Sequence, residues 1–274
     1  MSMTAEYLLG AGEEERVRLI AGGEVYRSET EWLVDRTGVG PAARALDIGC
    51  GPLGILDILS QSVDSAESVI GVDSRPRMLE MARESLAERG IDGVQLLVAD
   101  AAGTGLPADT FDLVHTRFVL INVPNPEQVV AEMARLTRPG GCVIVQDADF
   151  ITKAVCEPPH PAWDRLLDVV LAVWDDSGFD PYIGRRLPNL LRAAGLVDVE
   201  VTVTARVWRS ADAYRMLMLA VADVVREQIV ALGLMTGAEL DAVVAEVSEH
   251  LQRPDTFVMN YLFFQAWGRK PAQA

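Results

Sequence analysis

From residue 45 to residue 150 short apolar runs alternate with amphipathic stretches, the signature of strands joined by crossover helices. The run opening at Ala45, then residues 68–73, 94–99, 111–117 and 142–147, are rich in β-branched and aliphatic side chains and end at turn residues. Continuous runs of this kind predict strands buried on both faces, as in a parallel sheet. Residues 55–60, the segment begun by Ser74-Arg75-Pro76-Arg77-Met78, and residues 127–136 read as the helices between them. Upstream, residues 13–20 and 29–34 predict two amphipathic helices that stop at Gly38-Val39-Gly40-Pro41. Beyond residue 150 the pattern becomes irregular and aromatic. Residues 187–194 before Gly195 read as a last crossover helix, and residues 197–203 and 257–267 as a final strand pair. The interval 204–256 is too long for a hairpin loop and predicts helices over 211–232 and 237–251.

The length of 274 residues and an apolar fraction of 50% suffice for a substantial core, so one sheet with appendages is expected. With 24 basic against 40 acidic side chains the net charge is −16, which repels phosphate backbones and anionic headgroups and argues against nucleic acid as a partner. Arg185-Arg186 and Arg269-Lys270 are short clusters that read as solvated pairs. Cys50, Cys142 and Cys156 are odd in number and lack metal-ligand spacing, so neither a disulfide scaffold nor a metal site is expected, and reduced thiols point to the cytoplasm. Residues 1–10 show no basic segment leading into an apolar core, and no stretch approaches the roughly 20 apolar residues of a membrane helix, so a soluble protein is expected.

The chemistry concentrates at Asp47-Ile48-Gly49-Cys50-Gly51-Pro52-Leu53-Gly54. The Gly-x-Gly-x-x-Gly spacing after a strand exposes backbone N–H groups to a ligand, while Asp47 would repel a pyrophosphate and suits an ammonium group. Asp73 ends the second strand about 20 residues on, where such folds bind ribose hydroxyls. Asp100 ends the third and is placed to take an adenine amino group. Here the chain resembles the class I S-adenosylmethionine-dependent methyltransferases, whose order of motifs is matched by Leu46-Asp47-Ile48-Gly49-Cys50-Gly51, Gly71-Val72-Asp73, Ala99-Asp100-Ala101 and Phe111-Asp112-Leu113-Val114.

The resemblance, over roughly residues 40–150, implies a Rossmann-like α/β fold: a seven-stranded, mostly parallel sheet with an antiparallel last strand. It implies a helical cap at 1–40, a cofactor core at 41–150, and a remainder at 151–274 with a lid over 151–185 and 204–256. S-adenosylmethionine is the implied cofactor. Asp47, Gly49, Gly51 and Gly54 would hold its methionine end, the helix N-terminus its carboxylate, Asp73 and Ser74 its ribose, and Met78, Asp100 and Ala101 its adenine. Thr116 and Arg117 would line the methionine portion, Arg117 also bridging to the cap; Tyr26 and Arg27 in the cap turn either serve the pocket or form a surface pair.

For the transfer itself, His115 is a candidate base because imidazole titrates near neutrality, and Asp147 and Asp149 beyond the fifth strand are the alternative acids. Displacement on a sulfonium can also run on alignment alone. Family members commonly carry a histidine just after the fourth strand, where Ile121-Asn122 stand here. Trp163, Trp174, Phe179, Tyr182, Met216 and Met218 either line an acceptor chamber or pack the core. The helices of 204–256 either shape that chamber or form a homodimer interface. The expected function is methyl transfer to an O, N or C nucleophile of a small organic molecule, as in natural-product secondary metabolism. An NAD-dependent oxidoreductase and a non-catalytic cofactor-binding or scaffold protein are the alternatives, the former lacking a Tyr-x-x-x-Lys pair.

Overall fold

The computed structural model describes residues 13–150, 154–209 and 212–272. The leader reading of residues 1–10 and the expected helix start at Ala211 lie outside the described residues.

Two helices, α1 (Glu13–Val25) and α2 (Arg27–Thr37), precede the sheet, and α2 ends on Gly38 in the left-handed conformation. The first half of the sheet is β1 (Ala45–Ile48), α3 (Leu56–Ser62), β2 (Val69–Asp73), α4 (Pro76–Glu88), β3 (Gln95–Val98) and β4 (Phe111–Arg117). It continues through α5 (Pro126–Leu136), β5 (Thr137–Asp149), β6 (Val155–Glu157), α6 (Pro161–Ser177), α7 (Leu187–Ala193) and β7 (Val197–Ala205). The chain closes with α8 (Leu217–Val224), α9 (Arg226–Ala231), α10 (Gly237–Gln252), β8 (Phe257–Met259) and β9 (Leu262–Arg269). Prolines open α4, α5 and α6, where a missing N–H costs nothing, and a Thr236–Glu239 capping box opens α10.

The seven strands run in the order β3-β2-β1-β4-β5-β9-β7; β1 to β5 are parallel and β9 is antiparallel to both neighbours. This is the Rossmann-like mixed sheet with helical flanks that the sequence predicts. Strand alternation splits the core into two clusters. Leu46, Ile48, Val72 and Val114 belong to one, Ala45, Val69, Leu113 and Ile144 to the other, so both faces of the central strands are covered, while the edge strands β3 and β7 are largely exposed, contrary to the burial expected of the run 94–99. Strand order reverses between β1 and β4, and the crevice at the carboxyl ends of these two strands is where open α/β sheets bind ligands.

Two predicted elements divide. The run 257–267 breaks at Asn260-Tyr261: β8 leaves the main sheet to pair with β6 in a separate two-stranded sheet, and only β9 joins the large one. The helix expected over 211–232 becomes a 3-10 turn at Ala213–Met216 followed by α8 and α9. The junction falls at the β-branched pair Val224-Val225, where side-chain crowding against the preceding turn is relieved. Met218, Ala222, Val225 and Ile229 still share one buried face across it.

Candidate active site

The turn after β1 is held from below. Gly49 N–H and Cys50 N–H both donate to Val72 O, at 2.7 and 3.0 Å, and Gly51 N–H donates to Asp73 Oδ2 at 3.0 Å. Gly51 and Gly54 both have positive φ, +54° and +57°, which favours glycine. A Cβ on Gly51 would meet nothing within 4 Å, whereas one on Gly54 would sit 2.1 Å from Asp47 Oδ2.

Above this turn opens a cavity of about 810 Å³, well within the range of small-molecule sites. Its walls carry Gly49, Gly51, Gly54, Asp73, Ser74, Asp100, Ala101 and Arg117 from the predicted set. Asp73 is buried; its Oδ1 accepts from Arg75 N–H at 2.9 Å, so its two oxygens have spent two of about four lone-pair sites and keep capacity for hydroxyl donors. Asp100 accepts from Ala102 N–H at 2.7 Å. The charged walls, Arg18, Glu24, Arg27, Asp57, Asp73, Arg75, Asp100 and Arg117, all come from the cap, the α3 region or the strand tips. Beyond Phe118 and Asn122 the chamber is lined by Ile121, Ala148, Phe150, Trp174, Phe179, Tyr214, Leu217, Met218, Val221, Val225 and Tyr261.

Arg117 makes the predicted bridge. Its Nη2 donates to Gly54 O at 3.0 Å, and its Nη1 donates to Thr30 Oγ1 at 3.2 Å and Gly23 O at 3.4 Å. Burial lowers its pKa, with Asp47 and Asp57 opposing. Arg27 pairs with Asp57 at 2.6 Å on the cavity wall, and Tyr26 is buried, stacked on Phe263 with ring centroids 4.0 Å apart, so the two are not a surface pair.

Six predicted site residues do not reach the cavity. Asp47 lies beneath the turn: Oδ2 accepts from Ile55 N–H at 2.9 Å and Oδ1 contacts His115 Nδ1 at 2.7 Å. It therefore satisfies the N-terminal end of α3 itself, in place of a ligand's carboxylate, and cannot serve to distinguish an ammonium from a pyrophosphate. His115 is fully buried, with Nε2 3.0 Å from Gln146 Oε1, and has no access to a substrate proton. Thr116 donates to Ile48 O at 2.8 Å on the opposite face of β4. Met78 is fully buried off the cavity, so it is a packing residue. Asp147 accepts from Ile121 and Ala148 N–H groups, and burial raises its pKa to about 7 although those bonds act downward; it is walled off from the chamber. Asp149 is likewise buried and clamped by Arg185 at 2.7 and 2.8 Å.

The basic clusters are paired and not simply solvated: Arg186 meets Glu127 and Asp180, and Lys270 meets Asp109. Of the aromatic and methionine candidates, Trp174, Phe179 and Met218 line the chamber. Trp163 instead donates its indole N–H to Ala154 O at 2.6 Å, Tyr182 is exposed, and Met216 lies off the walls. Sequence reasoning missed Tyr214 and Tyr261, whose hydroxyls meet at 2.9 Å on the chamber wall. All three cysteines are free and buried.

A model of the methyltransferase domain family matches residues 46–145. A 37.1 kDa protein in transposon TN4556 of Streptomyces fradiae is 30% identical over 194 residues, 71% of this chain; the chain spans about half of that relative, 55%. Demethylmenaquinone methyltransferase of Geobacillus stearothermophilus is 30% identical over 190 residues, covering 64% of this chain and 81% of that protein. The solved YcgJ protein from Bacillus subtilis superposes with a TM-score of 0.60 over 88% of this chain and 97% of its own, at 18% identity, a likeness of fold. The strand order, the glycine turn with acids at the next two strand tips, and these matches agree, and the chain belongs to the class I S-adenosylmethionine-dependent methyltransferases.

Proposed function

We propose that the protein transfers a methyl group from S-adenosylmethionine to a small organic molecule. The observation that carries this reading is the single continuous cavity, with strand-tip acids and a bare glycine turn at one end and an aromatic chamber at the other. The first end fits the cofactor: Gly51 offers open space where any other residue would project a Cβ, and Asp73 retains acceptor capacity for ribose hydroxyls. Asp100 and Ala101 would hold the adenine, and Arg117 and the Arg27–Asp57 pair the charged amino-acid tail. Bound there, the cofactor supplies an electrophilic methyl on a sulfonium.

The chain's own residues then bind, orient and exclude water. Among the described residues, the chamber end carries no carboxylate or imidazole to take a proton, which supports transfer driven by proximity and alignment. The demethylmenaquinone relative supports an acceptor that is a small molecule. Titration calorimetry with S-adenosylmethionine and S-adenosylhomocysteine tests the reading, followed by a screen of small acceptors with methyl-labelled cofactor. Micromolar binding of both and label transfer to an acceptor are expected; folded protein that binds neither refutes it.

A further inference from the structure

Among the described residues the chamber end is built from aliphatic and aromatic side chains, and its polar equipment is a pair of phenols. Tyr261 packs against Phe118 and Phe150, with ring centroids 6.0 and 5.2 Å away, and its hydroxyl meets that of Tyr214 at 2.9 Å. Tyr26 packs against Tyr261 as well, with ring centroids 6.1 Å apart. The backbone beside this pair is fixed too, because Asn260 Nδ2 donates to Tyr214 O at 3.1 Å.

Two hydroxyls own two protons, and the bond between them uses one, so one O–H points out of the pair. Tyr261 is buried among Tyr26, Phe118 and Phe150, so a proton turned outward from it would lack an acceptor, at the cost of an unsatisfied buried donor. Tyr261 therefore donates to Tyr214, and the free proton is the one on Tyr214, which is only partly buried and faces the cavity. Burial raises the pKa of both phenols, so they stay protonated and donate. Arg18 and Arg117 act on Tyr214 electrostatically, from the cap and turn side.

We propose that the chamber selects an uncharged, largely apolar acceptor that presents one oxygen to the Tyr214 hydroxyl, as a ketone, quinone or enol ether does; this rests on the methyltransferase reading above. Acids, amines and phosphate esters are disfavoured, because among the described residues the chamber end offers no counter-charge for an ion stripped of water. Tyr214 is thus a specificity-determining residue that reads an oxygen atom, and Tyr261 is a positioning residue that aims it.

The test uses full-length protein saturated with S-adenosylhomocysteine and four ligands of one shape: α-tetralone, tetralin, tetralin carboxylate and aminotetralin. Calorimetry should find α-tetralone binding about tenfold tighter than tetralin, and at least tenfold tighter than either charged compound. Tyr214→Phe should abolish the tetralone-over-tetralin preference while retaining tetralin binding, which reports an intact chamber, and Tyr261→Phe should halve or further reduce the preference. Equal or tighter binding of the carboxylate or the amine overturns the proposal, as does a Tyr214→Phe protein with the preference intact. Failure to bind S-adenosylhomocysteine would instead remove the functional reading beneath it.

Discussion

Two glycines three residues apart on the same turn should respond oppositely to the same methyl group. Gly51 and Gly54 both hold φ near +55°, so alanine at either costs about 1–2 kcal/mol of backbone strain. At Gly51 that is the whole structural cost, because the added Cβ meets nothing within 4 Å; a melting temperature lowered by about 2–8 °C follows. At Gly54 the Cβ would lie 2.1 Å from Asp47 Oδ2 and 2.9 Å from Cys50 O. Asp47 must then give up Ile55 N–H or His115, and a buried carboxylate deprived of its partner costs about 3–5 kcal/mol more. The sum, about 4–7 kcal/mol, rivals the total stability of an ordinary domain, about 5–15 kcal/mol. Binding runs the other way. The Gly51→Ala methyl enters the cavity where the cofactor is proposed to lie, and overpacking of about 1–3 kcal/mol weakens S-adenosylhomocysteine about 5- to 150-fold. Differential scanning calorimetry and titration calorimetry read the two effects separately. A Gly51→Ala protein with parental affinity would show that the ligand does not rest on this turn, and equal melting of the two variants would refute the role given to Asp47.

Asp73→Asn should weaken S-adenosylhomocysteine by about 10- to 150-fold in the same titration, the range of a charge-assisted hydrogen bond worth about 1.5–3 kcal/mol; parental affinity would refute ribose binding there. His115→Ala should lose about 3–5 kcal/mol in urea unfolding by stranding Asp47, yet keep turnover per folded molecule within about threefold; a loss of 10²-fold or more would restore the ring as a base. Asp147 binds its proton more tightly folded, with a pKa of about 7, than unfolded, about 3.9, so the folded state carries more protons between these values and stability falls as pH rises through that window. At about 1.36 kcal/mol per unit the fall comes to about 4 kcal/mol, and Asp147→Asn should flatten it; matching slopes in the two proteins would refute the assignment.

The parallel strands β1, β2, β4 and β5 were legible because burial on both faces forces apolar runs, whereas the edge strand β3 is an apolar run that is largely exposed, and the strand-tip acids were legible because their position in a βαβ repeat dictates where they emerge. What the run 257–267 could not show is that Asn260-Tyr261 divides two sheets, since three residues of β8 look the same whichever partner they take. Asp47, His115 and Thr116 were misplaced for a different reason: order along a strand does not say whether a side chain meets a pocket or a helix. A signal was present. Asp47 and His115 are direct partners in β1 and β4, and Gln146 and Gln265 in β5 and β9, so paired polar residues stand at buried positions of four strands. Such groups must find one another when buried, and a row of them predicts an internal network. Tyr214 and Tyr261 left no comparable trace, being 47 positions apart with neither in a motif.

That internal row explains how a site without a chamber-end base can be exacting. Asp47 is joined to His115, His115 to Gln146, Gln146 to Gln265 at 2.6 Å, Thr30 donates to Gln146 Oε1 at 3.2 Å, and Thr30 in turn receives Arg117. The sequence of contacts begins at the peptide of Ile55 just past the glycine turn and returns to that turn through Arg117 and Gly54 O, passing through the second cap helix on the way. Apolar packing tolerates small shifts, but a closed ring of directional bonds in a dry interior fixes one arrangement, because each displaced member leaves an unpaired polar group. Alignment is where the rate of such a transfer comes from, and a misplacement of about 1 Å can cost about 10²-fold. His115, which looked like a catalyst in the sequence, and Asp47, which looked like a ligand contact, thus act one layer below the chemistry, holding the turn and the cap helix in register so that donor and acceptor meet in line.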